Sequence, residues 1–173
     1  MSTFAKAAEV HRALVATFSP WCKRAGFKRI SSGRCAYAKP SKDGLGTVIA
    51  FEIQCSSFGG AEHGGMFALN AGAGVIDPRY LSGPHARVLK YCPAELLALA
   101  RSTEASILAS EPRLAKPRCS WEAETDNWCQ YYEVNHVRQW GEVLLPFLPG
   151  LLNELLIRAG LSTHEFELLT SPA

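Results

Sequence analysis

The sequence predicts an α+β fold: an antiparallel sheet of about four to five strands packed against N-terminal and C-terminal helices. Three observations carry this. The first stretch repeats apolar residues at three and four spacing, which marks a helix with one buried face. Residues 34–73 alternate apolar side chains with small or polar ones between turn signals, which marks strands. The last third returns to helical spacing.

Taken in order, residues 3–25 read as the first helix, with Phe4, Ala8, His11, Leu14, Val15 and Phe18 on one face. Pro20 is expected to kink or restart it, with Ser19 as the new N-cap. Gly26 is placed to end it. Arg34 to Lys39 alternates weakly, with Cys35 and Tyr37 on one side. Asp43-Gly44, within the turn-rich stretch 40–46, is a hairpin signal. Thr47 to Cys55 is the clearest strand: Ile49, Phe51, Ile53 and Cys55 share one face, and Val48, Ala50, Glu52 and Gln54 the other. A glycine-rich loop (58–65) leads to a further strand, Met66 to Ala73, with Phe67, Leu69, Ala71 and Ala73 on one face.

Asp77 to Pro84 reads as a loop, and Pro93 to Ala109 as a helix carrying Leu96, Leu97, Ala100, Ile107 and Leu108. A last strand is expected within Trp128 to Val134. Asn135 is placed to cap a helix carrying Val137, Trp140, Leu144, Phe147 and Leu148. Pro146 and Pro149 are expected to break it, and a second helix then runs to Ala159 with Gly160 at its end. Ser162 and Glu165 have capping-box spacing.

A length of 173 residues with 47% apolar and 20% charged side chains is a globular composition, sized for one domain over residues 1–173. The formal net charge of +2, from 18 Lys and Arg against 16 Asp and Glu, is too even to argue for nucleic acid or a membrane surface. Glu9 and His11 interrupt any signal-peptide core, and the greasiest segment, 143–157, holds two prolines and Glu154. The expected location is therefore cytoplasmic. The six cysteines, Cys22, Cys35, Cys55, Cys92, Cys119 and Cys129, show neither C-x-x-C nor zinc-site spacing, and are expected as free thiols.

No motif for hydrolytic or phosphate chemistry is present. There is no G-x-S-x-G and no G-x-x-x-x-G-K-[ST], and the five histidines stand apart. No catalytic residue, metal ligand or cofactor is assigned. His11 lies on the apolar helix face and reads as a core histidine. Glu62 and His63, in the glycine-rich loop, are the polar groups a ligand would meet there. Gln54 and Asn70 are amides on otherwise apolar strands, placed to share one face of adjacent strands. Trp121, Trp128, Tyr131, Tyr132 and Trp140 interleave with Glu122, Glu124 and Asp126. That acidic company argues against base stacking, which wants cations, and exposed rings of this set would suit a protein interface.

The order of features resembles a bacterial family, the domain of unknown function 4304. The residues that carry the resemblance are Ala25-Gly26-Phe27-Lys28, the strand from Val48 to Gln54 and the strand from Met66 to Gly72. Arg118, Trp121, Trp128 and the closing Leu145-Pro146-Phe147-Leu148-Pro149 complete the set. They cover about residues 8–75 and 118–157, with a helical insertion near 93–110. The resemblance implies a small α+β domain with no established catalytic residue. It also places Gln54 and Asn70 at that family's strand signatures. Domains of this kind are suspected immunity proteins against toxins.

The function expected from the sequence is a non-catalytic protein-binding domain whose partner is a cognate bacterial toxin or another protein, not nucleic acid and not a membrane. Its binding residues are Gln54, Asn70, Glu62, His63, Arg118, Trp121, Glu122, Trp128 and Tyr131. One alternative is a small-ligand domain or enzyme using loop 59–65. The other is a structural homodimer subunit.

Overall fold

A computed structural model describes residues 4–56, 64–75, 86–114, 117 and 121–168. The chain starts with α1 (Ala7–Arg24), followed by strands β1 (Lys28–Arg29), β2 (Ala36–Pro40), β3 (Val48–Ser56), β4 (Gly65–Gly74) and β5 (Ala86–Arg87). A 3-10 turn, Val88–Tyr91, leads to α2 (Ala94–Ser110). Then come β6 (Cys129–Tyr131), α3 (Val134–Leu144) and α4 (Leu148–Arg158). The α+β expectation holds. The strands form one antiparallel sheet in the order β1-β2-β3-β4, and β5 and β6 share the far edge of β4 at different heights.

Side-chain alternation decides what lies on each side of this sheet. Tyr37, Ile49, Phe51, Ile53, Phe67, Leu69 and Ala71 point to one face and are buried with residues of all four helices. Phe51 is the hub: its ring lies 6.4 Å from Phe18, 5.5 Å from Phe27 and 5.4 Å from Tyr37. A second ring pair, Trp121 stacked on Trp140 at 5.1 Å, holds the stretch before β6 against α3. The opposite face carries, among the described residues, a small apolar cluster of Ala38 and Ala50, flanked by Ile30 and Val48.

Several local expectations fail for identifiable reasons. Pro20 sits inside α1 without ending it. Ser19, rather than capping a new helix, exchanges a 2.7 Å hydrogen bond with the Tyr37 hydroxyl. The buried stripe of α1 is Val10, His11, Ala13, Leu14, Phe18, Trp21 and Cys22, and Ala8 is exposed. Packing against two partners, the sheet and α3, shifts and widens the stripe. Gly26 does end the helix, at φ 80, with Phe27 N–H donating to the Cys22 carbonyl at 2.8 Å.

At the start of α3 the N-cap is Glu133, and Asn135 lies inside the first turn. His136 is why: its Nδ1 accepts from the Tyr132 and Glu133 N–H groups at 3.2 and 3.3 Å, which satisfies the chain entering the helix. Pro146 sits in a 3-10 turn, Leu145–Phe147, and Pro149 in the first turn of α4, and neither breaks the run. Both prolines fall at N-terminal helical positions, where the missing N–H costs little. The run Val134–Arg158 is therefore continuous over 25 residues and, by length and composition, apolar enough to cross a membrane. Half of its apolar window is buried inside the fold, so it behaves as a core helix. Ser162 makes no side-chain cap, and Thr163–Glu165 is a single 3-10 turn. The strand expected within 128–134 is only three residues long, and the segment 77–84 lies outside the described residues.

Candidate functional site

The pairing register builds a row across the sheet. Ala36 faces Glu52, Glu52 faces Asn70, and Asn70 faces Arg87. Partners in register share a face, so these side chains stand on the side away from Phe51. Gln54, one diagonal step from Asn70, accepts a 2.8 Å hydrogen bond from Asn70 Nδ2 through its Oε1. The two amides singled out in the sequence therefore do meet. Asn70 is buried while Gln54 is exposed.

Charges flank the amides. Arg34 Nη1 lies 3.1 Å from Glu52 Oε2 at one end of the row. At the other, the Arg87 guanidinium stacks 4.1 Å above the ring of half-buried Trp128. Asp126 joins Arg87, at 3.5 Å, to Lys90, at 3.1 Å. Asn70 Oδ1 and Arg87 Nη1 are both buried and have no hydrogen-bond partner. An unmet acceptor and an unmet donor on neighbouring strands complement a group that offers one of each, such as an amide.

The loop behind this end is fixed by one residue. Asn127, fully buried, donates from Nδ2 to the Leu89 carbonyl at 2.9 Å and to the Glu122 carbonyl at 2.8 Å. Its Oδ1 accepts from Glu122 N–H and the Thr125 hydroxyl, both at 3.2 Å. A conformationally fixed loop keeps Asp126 and Trp128 in place against Arg87 at little entropic cost on binding.

The remaining sequence candidates divide. Trp121 and Tyr131, expected in the binding set, are instead buried core residues and present no surface. Tyr132 and Trp140 are buried as well. Glu122 is exposed. Glu62, His63 and Arg118 lie outside the described residues. Gly64 and Gly65, at the end of the glycine-rich loop, have a packing role: a Cβ on either would collide with Tyr131. They let β4 lie against β6, so their lack of side chain answers to the fold.

Histidine and cysteine chemistry is resolved by hydrogen bonding. His11 Nδ1 accepts from the Cys35 N–H at 3.2 Å, so the neutral ring carries its proton on Nε2, 3.8 Å from Cys55 Sγ. That proton points at the sulfur, so His11 in this form cannot take a proton from the thiol. Burial, with Arg34 and Arg29 nearby, also holds the His11 pKa down. Burial raises the Cys55 thiol to about 11 and Cys35 to about 12, which leaves both unreactive near neutrality. The five described cysteines are free thiols. Among the described residues no cluster of three His, Cys, Asp or Glu side chains could hold a metal ion.

Sequence reasoning found the amide pair and Trp128, but missed Arg87, which is the link between them. Its signal is absent from the sequence because β5 is two residues long and its partner in β4 lies 17 positions earlier. No protein-family model, no curated protein and no solved structure matches the chain.

Proposed function

We propose that the protein is a non-catalytic protein-binding domain that docks its partner on the sheet face bearing Gln54, Asn70 and Arg87, with Trp128 at its edge. The observation that supports this most is the Arg87–Trp128 stack beside the unmet polar atoms of Asn70 and Arg87. Arginine and tryptophan dominate the energetics of protein interfaces. Here Arg87 sits on strand β5 and Trp128 follows a fixed loop, next to groups that a partner's amide would complete. The mixed charge of the row, with Arg34, Glu52, Arg87, Asp126 and Lys90, suits a polar, specific interface rather than a uniformly charged ligand.

The resemblance to the domain of unknown function 4304 adds the partner class: a cognate bacterial toxin that the protein neutralises. Co-expression tests this. A toxic product of a neighbouring open reading frame becomes harmless when this protein is present, and Arg87→Ala with Trp128→Ala reverses the protection while the fold stays intact. If no neighbouring product is toxic, or the double variant protects as well as the parent, the reading fails.

A further inference from the structure

A second site adjoins the amide row and shares Lys90 with it. An open cavity of about 440 Å³ is bounded by the 3-10 turn Val88–Tyr91, the loop at 123–124 and α4. Its volume falls in the range of small-molecule sites. Phe147 and Leu151 supply an apolar floor, and Lys90, Glu124, Glu154 and Arg158 supply charge at the rim.

Three of those four charges are engaged. Lys90 Nζ is 3.1 Å from Asp126. Arg158 Nε donates to Glu154 Oε1 at 2.7 Å, and its guanidinium lies 4.0 Å over the Tyr91 ring. The Glu124 carboxylate has no ion pair among the described residues. Its backbone is left-handed, at φ 60, a conformation that costs a non-glycine residue about 1–2 kcal/mol. The loop enforces it: Glu124 N–H donates to the Lys90 carbonyl at 3.0 Å, and Asn127 anchors both flanks.

The opposite wall has a gap. Gly150 lies exposed in α4, and among the described residues nothing outside the adjoining helix backbone comes within 4 Å of the position its Cβ would occupy. Glycine within a helix costs roughly 0.5–1 kcal/mol relative to alanine. No neighbour in the fold requires that absence, and it leaves bare backbone facing the cavity.

An unpaired carboxylate held in a costly conformation, an apolar floor and an unfilled helix wall define complementary requirements. We infer that this cavity binds a small organic cation with an apolar body, its ammonium at Glu124 and its apolar part on Phe147 and Leu151 across Gly150. An anion would face Glu124 unpaired, and would have to displace Asp126 and Glu154 from the two cations. The inference is independent of partner docking at the amide row.

Calorimetric titration of the full chain with 2-phenylethylamine, butylamine and the neutral 2-phenylethanol tests it. Phenylethylamine is expected to bind saturably and up to about fivefold more tightly than the alcohol, the size of an exposed ion pair. Glu124→Gln should bring the amine to the level of the alcohol. Gly150→Leu, which fills the gap, should abolish binding of both while thermal unfolding shows the fold retained. Binding of neither amine, equal affinity for amine and alcohol, or binding unchanged by Gly150→Leu would each overturn it.

Discussion

The two faces of β3 and β4 are made by the same residues taken alternately, yet they do different work. One face presents Ile49, Phe51, Ile53, Phe67 and Leu69 to the helices. The other presents Ala50, Glu52, Gln54, Ala68 and Asn70. The first is redundant and apolar: each side chain gains from burial and none needs a particular partner. The second is a chain of specific polar contacts, with an acceptor and a donor left unmet. Stability should therefore reside on the first face and recognition on the second.

The largest test of that division is Phe51→Ala, which empties the space between the rings of Phe18, Phe27 and Tyr37 and should cost about 3–5 kcal/mol by urea unfolding. Gln54→Ala, three positions along on the other face, takes the acceptor from buried Asn70 Nδ2 and should cost about 1 kcal/mol. Similar losses for both would break the comparison.

Glu104 sharpens it from inside the helical layer. This buried residue of α2 has Oε1 unpartnered, and desolvation raises its carboxyl to about 7. The unfolded chain loses that proton near 4.5. Between those values the folded state holds a proton that the unfolded state has released. Stability therefore falls as pH rises through this window and levels off above it, by roughly 3 kcal/mol in total. Glu104→Gln should remove most of the fall. Thermal unfolding at pH 5 and pH 8 should show parent and variant close at the lower pH and the variant ahead at the higher. A variant advantage independent of pH would contradict the assignment.

On the face proposed for partner docking, Arg87→Ala should weaken partner binding by about 2 kcal/mol or more, as a central interface arginine does. Surface plasmon resonance with the identified partner would check this, with Arg158→Ala as a control expected to leave that binding unchanged.

Two glycines should give effects of opposite sign. Gly65→Ala drives a methyl into Tyr131 and should destabilise by about 1–3 kcal/mol. Gly150→Ala meets open space in a helix and should stabilise by about 0.5–1 kcal/mol. Both can be read from the same unfolding curves. A destabilising Gly150→Ala would mean that the fold itself needs the glycine.

Much of the scaffold was legible in the chain. Period-two alternation in Val48–Ser56 and Gly65–Gly74 and helical spacing in Ala7–Arg24, Ala94–Ser110 and Val134–Arg158 mark the elements, because burial on one side imposes that period. Gln54 and Asn70 could be paired in advance because a register that places one apolar face in the core also fixes the other. The sequence did not distinguish buried from exposed aromatics in 121–140. Trp121, Tyr131 and Trp140 are core while Trp128 reaches the surface, and ring chemistry alone is the same in all of them. Caps were misplaced where a distant or unusual group took the role, as His136 does at the start of α3.

The sequence by itself determined the fold class and the two faces of its strands, since both follow from local periodicity and apolar burial. Only the tertiary structure decided what stands beside those strands. It brought two-residue β5 against β4, set Arg87 between Asn70 and Trp128, and put Glu124 and Gly150 on the lining of one cavity. Those placements join residues far apart in the chain through pairing and loop anchoring. No local pattern carries them, because the energies that fix them exist only once the distant segments have met.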